Sequence, residues 1–325
     1  MTLALVLAAL LAVLLTGVPL FAGMSIVSIL VLLVAEGRIG GLADEVYASL
    51  SNYLLVAIPL FAFMAHIMIR AKVVDDLYAF AHSLVRHWPG GLGVATVLAC
   101  TIFAAISGSS VATALTIGTA AIPQMLRYGY SDKAAYGVLA AGGTLGILIP
   151  PSGPMILYGV IADVSIGALF IAGILPGLLL AALFAIYCVI EALVRGGRER
   201  PNRATMAEIW PLFRSSIWAL MLPPLVLGGM YAGVFTATEA AAVGAIAAAL
   251  IARFAYNRLA IADLLAAARE AARTTGMLFM ILAAAAMFGH VVTVLRLPSE
   301  LVQLAATYGV GPLGFLFGVM ALVFV

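Results

Sequence analysis

Most of this chain lies in stretches that carry almost no formal charge. Residues 1–35, 46–69, 87–126, 134–162, 164–190, 215–238 and 271–295 are each mostly or wholly free of Lys, Arg, Asp and Glu. A helix needs about 20 apolar residues to cross a bilayer, whereas a barrel strand needs about 10 with strict alternation. These runs are long and do not alternate, so they read as helices. Of the 325 residues, 65% are apolar and 9% charged, where a soluble domain is roughly 25% charged. The expected fold class is an all-α polytopic membrane protein. The N-terminus lacks the basic region of a cleavable signal peptide, and its apolar run is too long for one. Cys100 and Cys188 fall at membrane depth, read as small core residues, and say little about redox compartment.

Charge placement gives a topology. If loops alternate sides, one side receives residues 70–89, 127–133, 191–214 and 253–273, which hold all but two of the 16 Lys and Arg residues. The other side receives only Arg38 and Arg296, together with Glu36, Asp44, Glu45, Asp163, Glu239 and Glu300. Basic loops mark the cytoplasmic side. The N-terminus is then cytoplasmic, unless the long run 1–35 is a broken or doubled helix. GRERPNR at 197–203 becomes the longest cytoplasmic link, within a basic linker at 191–214 that divides residues 1–190 from 215–325.

Two of the apolar runs contain residues that break helices. Gly90–Leu126 is uncharged, is bounded by cytoplasmic loops on both sides, and carries SGSS at 107–110. It is too long for one straight span and too short for two with a loop. Two arms, Gly90–Ile106 and Val111–Leu126, would meet at SGSS near mid-membrane in a re-entrant hairpin opening to the cytoplasm. The next span, 134–162, carries GGTLGILIPPSGP at 142–154. There Gly142, Gly143 and Gly146 permit close backbone approach, and Pro150, Pro151 and Pro154 remove amide donors. Non-helical backbone at this depth is tolerated only where protein or a water-filled cavity surrounds it. Broken helices expose carbonyls at one half-helix end and amides at the other, the groups transporters use for cations and anionic substrate groups. The tip and the break therefore read as one binding site.

A longer pattern repeats. The span 49–69 is followed by an amphipathic stretch at 71–88 and by GGLGVATVLACTIF, which leads into the hairpin. The span 274–295 is followed by an amphipathic stretch at 296–308 and by GVGPLGFLFGVMALVFV. The charges put the first amphipathic stretch inside and the second outside, so the two repeats are inverted, as in transporters with a midplane site. A second hairpin, opening outside, would begin near Gly309. The chain stops at Val325 within its first arm, so the second repeat is incomplete and the chain is expected to be a fragment.

SGSSVATALTIGTAAIPQM, the run AAYGVLAAGGTLGILIPPSGPMILYGVIADVSIGALFIAGILPGLLL, and FTATEAAAVGA at 235–245 resemble the large membrane subunit of TRAP (tripartite ATP-independent periplasmic) transporters. The resemblance covers essentially the whole chain. Thr238 follows Ala237 where family members often have Pro-Thr-Glu, a minor departure, and the family's second hairpin and second proline-rich broken helix have no counterpart here. The resemblance implies a multi-pass protein of the bacterial inner membrane and a sodium-coupled, elevator-type importer of organic acids such as C4-dicarboxylates, sialic acid or keto acids. A periplasmic substrate-binding protein and a small membrane subunit would be its partners beside the lipid bilayer, with sodium as coupling ion, no other cofactor and no nucleic acid. Carried onto this chain, it assigns sodium to Ser107, Gly108, Ser109 and Ser110 at the tip, and to Gly143, Thr144, Gly146 and the carbonyls near Ile149 and Pro150 at the break. It assigns substrate to Ser109, Ser110, Thr144, Pro151 and Ser152. Residues 90–126 and 134–162 contain no Asp or Glu, so sodium would be held by neutral oxygens, which suits a hard cation. A fixed carboxylate would repel an anionic substrate by about 4 kcal/mol at about 4 Å for an effective dielectric near 20. On the fragment reading, residues 1–325 alone are not expected to catalyse sodium-driven uptake.

Other functions fit less well. Ser109 and His290 lie in different repeats and no GxSxG elbow is present, which argues against an intramembrane enzyme. His290 reads as a packing or snorkelling residue near a helix end, and Asp75–Asp76 lacks the second acidic motif of a membrane prenyltransferase. The carbonyls of GGTLG could line a channel filter, but inverted repeats argue for alternating access. Lys72 and Lys133, the only lysines, sit in no P-loop. A sodium–dicarboxylate symporter that works without a binding protein remains the alternative.

Overall fold

The computed structural model describes residues 2–194, 202–307 and 310–324. Among these it is helical with no strand: α1 (Thr2–Leu15), α2 (Leu20–Glu36), α3 (Leu42–Leu50), a 3₁₀ turn (Tyr53–Val56), α4 (Ala57–Arg70), α5 (Val73–Val85), α6 (Gly91–Ser107), α7 (Ser110–Arg127), α8 (Asp132–Leu148), α9 (Gly153–Ile161), α10 (Ile166–Val194), α11 (Met206–Leu220), α12 (Leu222–Tyr231), α13 (Ala237–Leu250), a π turn (Ile251–Ala255), α14 (Ile261–Val294), α15 (Leu297–Thr307) and α16 (Pro312–Phe324). The expected all-α polytopic class holds. Arg195, Arg198 and Arg200 of the basic linker and the lead-in at Gly309 lie outside the described residues. By contacts the chain forms two compact units, residues 1–52 with 277–325, and residues 53–276.

In the first unit the apolar run 1–35 is two helices, the doubled arrangement left open above. Gly23 at the start of α2 faces α1, where an added Cβ would lie 3.0 Å from the Leu14 side chain. A single crossing of this run no longer fixes the side of the N-terminus. Leu32 of α2, Leu42 of α3 and Val291 of α14 form a buried cluster flanked by Ile29, Met287 and Val294. Asp44 and Glu45 sit in the first turn of α3, where carboxylates complement the positive helix end. The His290 ring lies 3.1 Å from where a Cβ on Gly41 would fall, so it packs against the backbone that starts α3.

The second unit is built on close helix packing. Along α13 the buried residues Ala237, Ala241, Gly244, Ala245 and Ala248 follow a helical period; α13 packs on α4, whose Ala57, Phe61, Met64, Ala65 and Met68 are buried, and Gly244 faces Met64. Lipid tails are as apolar as leucine, so spanning helices associate through van der Waals contact, and small residues let backbones approach. The amphipathic arm read at 71–88 is α5, whose Val73, Leu77, Tyr78, Ala81 and Val85 are buried while Asp75 is exposed.

The structure differs from the sequence reading at four helices, one of them α14, which starts at Ile261 inside the stretch 253–273 read as a loop. The stretch 46–69 divides into α3 and the span Tyr53–Arg70. The helix expected from 215 starts at Met206, inside the stretch read as linker; Glu208 and Arg214 on one helix are no barrier to helix formation. It breaks at Met221, before Pro223 and Pro224, where α12 turns away by 42°. Ala237–Ala255 is also long and apolar enough to cross a membrane. Its uncharged part, between Glu239 and Arg253, is too short to stand out in the sequence.

Gly244→Val tests the α4–α13 contact. Its Cβ would fall 2.8 Å from Met64 Sδ and 2.9 Å from Val226 Cγ2, and overpacking of this kind costs about 1–3 kcal/mol. Gly276→Ala in α14, with nothing within 4 Å, should stabilise by up to about 1 kcal/mol through helix propensity. Thermal unfolding in detergent should move in opposite directions for the two variants.

Candidate functional site at the hairpin tip and helix break

Two helix ends are needed to turn the chain at SGSS, and the sequence supplies a device for each. Gly108 ends α6 in the left-handed region at φ +59, and its N–H donates to Ala104 O. Ser109 is extended and caps α7, its hydroxyl accepting from Ala112 N at 3.4 Å. One turn in, the buried Ser107 and Thr113 hydroxyls bond each other at 2.8 Å and tie the arms together. At the far end Thr96 Oγ1 lies 3.5 Å from Met125 Sδ, and Gly93 N donates to Tyr130 Oη at 3.3 Å. The start of α6 is thus beside the end of α7. The segment is a helical hairpin.

The second element opens because of its prolines. Pro150 and Pro151 have no N–H, so the Gly146 and Ile147 carbonyls lose the amide donors that helical spacing would give them. The buried Ser152 hydroxyl donates to Ile147 O at 2.8 Å and replaces one of the two. Helix α9 then starts with Pro154 in its first turn, where no donor is required, and the two halves are bent by 41°.

The tip and the break lie against each other, backbone to backbone. A Cβ on Gly146 would overlap the Ser109 carbonyl and lie 2.8 Å from Ser110 N. One on Gly143 would lie 2.8 Å from Ala114 Cβ and 3.2 Å from Ser110 O. On the tip side, a Cβ on Gly108 would overlap the Pro151 carbonyl and lie 3.3 Å from Ser152 Cα. Ser107, Gly108, Ser109, Ser110, Gly143, Gly146, Pro151 and Ser152 are therefore brought together. Thr144 is not on that face: it is exposed, and its hydroxyl donates to Ala141 O at 2.7 Å. Ile149 is buried with its side chain against α10, 2.8 Å from where a Cβ on Gly177 would fall, and Pro150 beside it is buried too.

Sequence reasoning missed Thr113, which holds the tip closed, and Gly173 with Gly177, which let α10 support the break. Leu148 O lies 2.7 Å from where a Cβ on Gly173 would fall. The signal was present as small residues four apart beside a proline break.

Four half-helix ends converge in this arrangement: the C-termini of α6 and α8 and the N-termini of α7 and α9. The first pair offers carbonyl oxygen to a cation; the second offers amide N–H to an anion. Hydroxyls add to both, and no carboxylate lies within residues 90–126 or 134–162. Among the described residues no group of three or more His, Cys, Asp or Glu could hold a metal.

Gly146→Ala places a methyl group where the Ser109 carbonyl lies, and backbone cannot yield as a flexible side chain can. A loss of about 1–3 kcal/mol in thermal stability is expected. Gly137→Ala in the same helix, with nothing within 4 Å, should lose none.

Residues 7–325 match the family described as the tripartite ATP-independent periplasmic transporter, DctM component. The ectoine TRAP transporter large permease protein TeaC of Halomonas elongata is 35% identical over 98% of this chain and 75% of its own length. The C4-dicarboxylate TRAP transporter large permease protein DctM of Pseudomonas aeruginosa is 38% identical over 88% of this chain and 67% of its own length. The sialic acid TRAP transporter large permease protein SiaM of Vibrio cholerae is 33% identical over 83% of this chain and 63% of its own length. These relatives are transporter permeases rather than enzymes, which removes the intramembrane-enzyme reading and the alternative of a separate symporter family. With a hairpin and a broken helix in the places its sequence set, the chain belongs to the DctM family of TRAP transporter large permeases, integral proteins of the inner membrane.

Proposed function

We propose that this chain is the large permease of a sodium-coupled importer of organic acids, fed by a periplasmic binding protein and paired with a small permease. The convergence of four half-helix ends carries the reading. Sodium fits the carbonyl ends and the hydroxyls of Ser107, Ser109 and Ser110 with the Gly143–Gly146 and Ile149–Pro150 backbone, a neutral oxygen set suited to a hard cation. The N-termini of α7 and α9, at Ser109, Ser110, Pro151 and Ser152, suit the anionic group of the solute. Thr144, on the exposed flank of α8 with its hydroxyl donated to Ala141 O, is left out of the site. Relatives named for C4-dicarboxylate and sialic acid support the acid class. Alternating access fits an elevator built on inverted repeats: α14, α15 and α16 follow the order span, amphipathic helix, apolar lead-in that α4, α5 and α6 set.

Thermal unfolding in sodium chloride against potassium chloride tests the cation site without requiring transport. Sodium at about 100 times its dissociation constant should stabilise the protein by about 2.7 kcal/mol relative to potassium. Ser107→Ala and Ser110→Ala should each shrink that difference. Equal stability in both salts, or an unchanged difference in both variants, would show that these hydroxyls pack rather than coordinate.

A further inference from the structure

The amphipathic helix α5 is held at both ends by residues from later in the chain. At its start, Arg258 Nη1 donates to Ala71 O at 3.5 Å, and Arg70 pairs with Asp263 at 3.8 Å. At its end, the Arg86 guanidinium makes two bonds at once: Nη2 to the Glu208 carboxylate at 2.5 Å and Nε to the Asn202 carbonyl at 2.8 Å. Between them the Phe80 and Phe213 rings pack at 5.7 Å. The helix is thus fastened to the segment 202–213 and to the chain after α13.

Beyond Arg86 the chain turns into the hairpin with no slack. Trp88 N donates to Val85 O, and Gly91 N to Trp88 O. A Cβ on Gly91 would lie 2.6 Å from Val85 O, and one on Gly90, at φ +68, would overlap Cys188 O of α10. The direction in which α6 leaves α5 is therefore set by where Arg86 is held.

We propose that Arg86 is a positioning residue for transport: its paired bonds to Glu208 and Asn202 make the end of α5 a fixed joint, about which the hairpin carrying the site is oriented. An exposed ion pair alone holds little. The guanidinium fork joins a side chain and a main-chain carbonyl that are separate in sequence, and a lysine ammonium, a point charge, does not reproduce that geometry.

Spin labels at Leu84 on α5 and Ala207 on α11, both exposed, test the joint by distance measurement in nanodiscs. The proposal expects one narrow distribution, the same with and without sodium, broadened in Arg86→Lys and in Glu208→Gln. A sodium-dependent change in the wild-type distance, or a narrow distribution in Arg86→Lys, would overturn it. These distances need no transport, so they stand even if the sodium-coupled reading of the site on which the uptake arm rests should fail. In the assembled transporter, Arg86→Lys should lower the maximal uptake rate per folded molecule about tenfold, the scale of one lost charge-assisted bond. The half-saturating solute and sodium concentrations should stay unchanged. A purely structural pair would lower the yield of folded protein and leave that rate alone.

Discussion

Everything in the second unit depends on how main-chain polar groups are satisfied where no water can reach them. In hydrocarbon each unpaired N–H or C=O costs several kcal/mol, which is why membrane spans are normally uninterrupted helices. This chain breaks its helices twice in succession, at Gly108 and at Pro150–Pro151. The interruptions are tolerated because each lies against the other: the turn at Gly108 rests on the Pro151–Ser152 backbone, and Gly146 receives Ser109 and Ser110. Hydroxyls make good part of what the breaks remove, as Ser152 does for Ile147 O and Ser109 for Ala112 N.

The same constraint explains the glycines. An alanine at Gly143 or Gly146 would force the hairpin away from α8, and one at Gly173 would press on Leu148 O. Close approach, rather than flexibility, is what these positions require. The functional consequence is a place of opposite poles. Carbonyl ends and amide ends of half-helices meet without a formal charge, and under the proposed function a cation and an anion would bind and leave there together. A carboxylate there would hold the cation and reject the anion.

Much of this was legible in the sequence because it depended on the identity of single residues. Gly108 ends one arm, Pro150 and Pro151 end a half-helix, and the charge-free run from Gly90 to Leu126 excludes a simple span; the arms fall within a residue or so of where these features put them. Side-chain direction was less accessible. Thr144 lies between two glycines that face the tip, yet helical rotation places it on the exposed side. The pairing of Ser107 with Thr113 required the hairpin to be closed before it could be seen. Charge also misled at Glu208 and Arg214, which read as loop and sit on α11, and the shortness of the uncharged run before Arg253 hid a span.

The proposed site requires residues 90–126 to enter and leave the membrane on one side. Single cysteines in place of Trp88 and Tyr128, both exposed at the two ends of the hairpin, decide it in oriented membrane vesicles with an impermeant maleimide. Both should react only when the reagent reaches the cytoplasmic face. Reaction of the two from opposite faces would make the segment a crossing span and remove the hairpin on which the site is built.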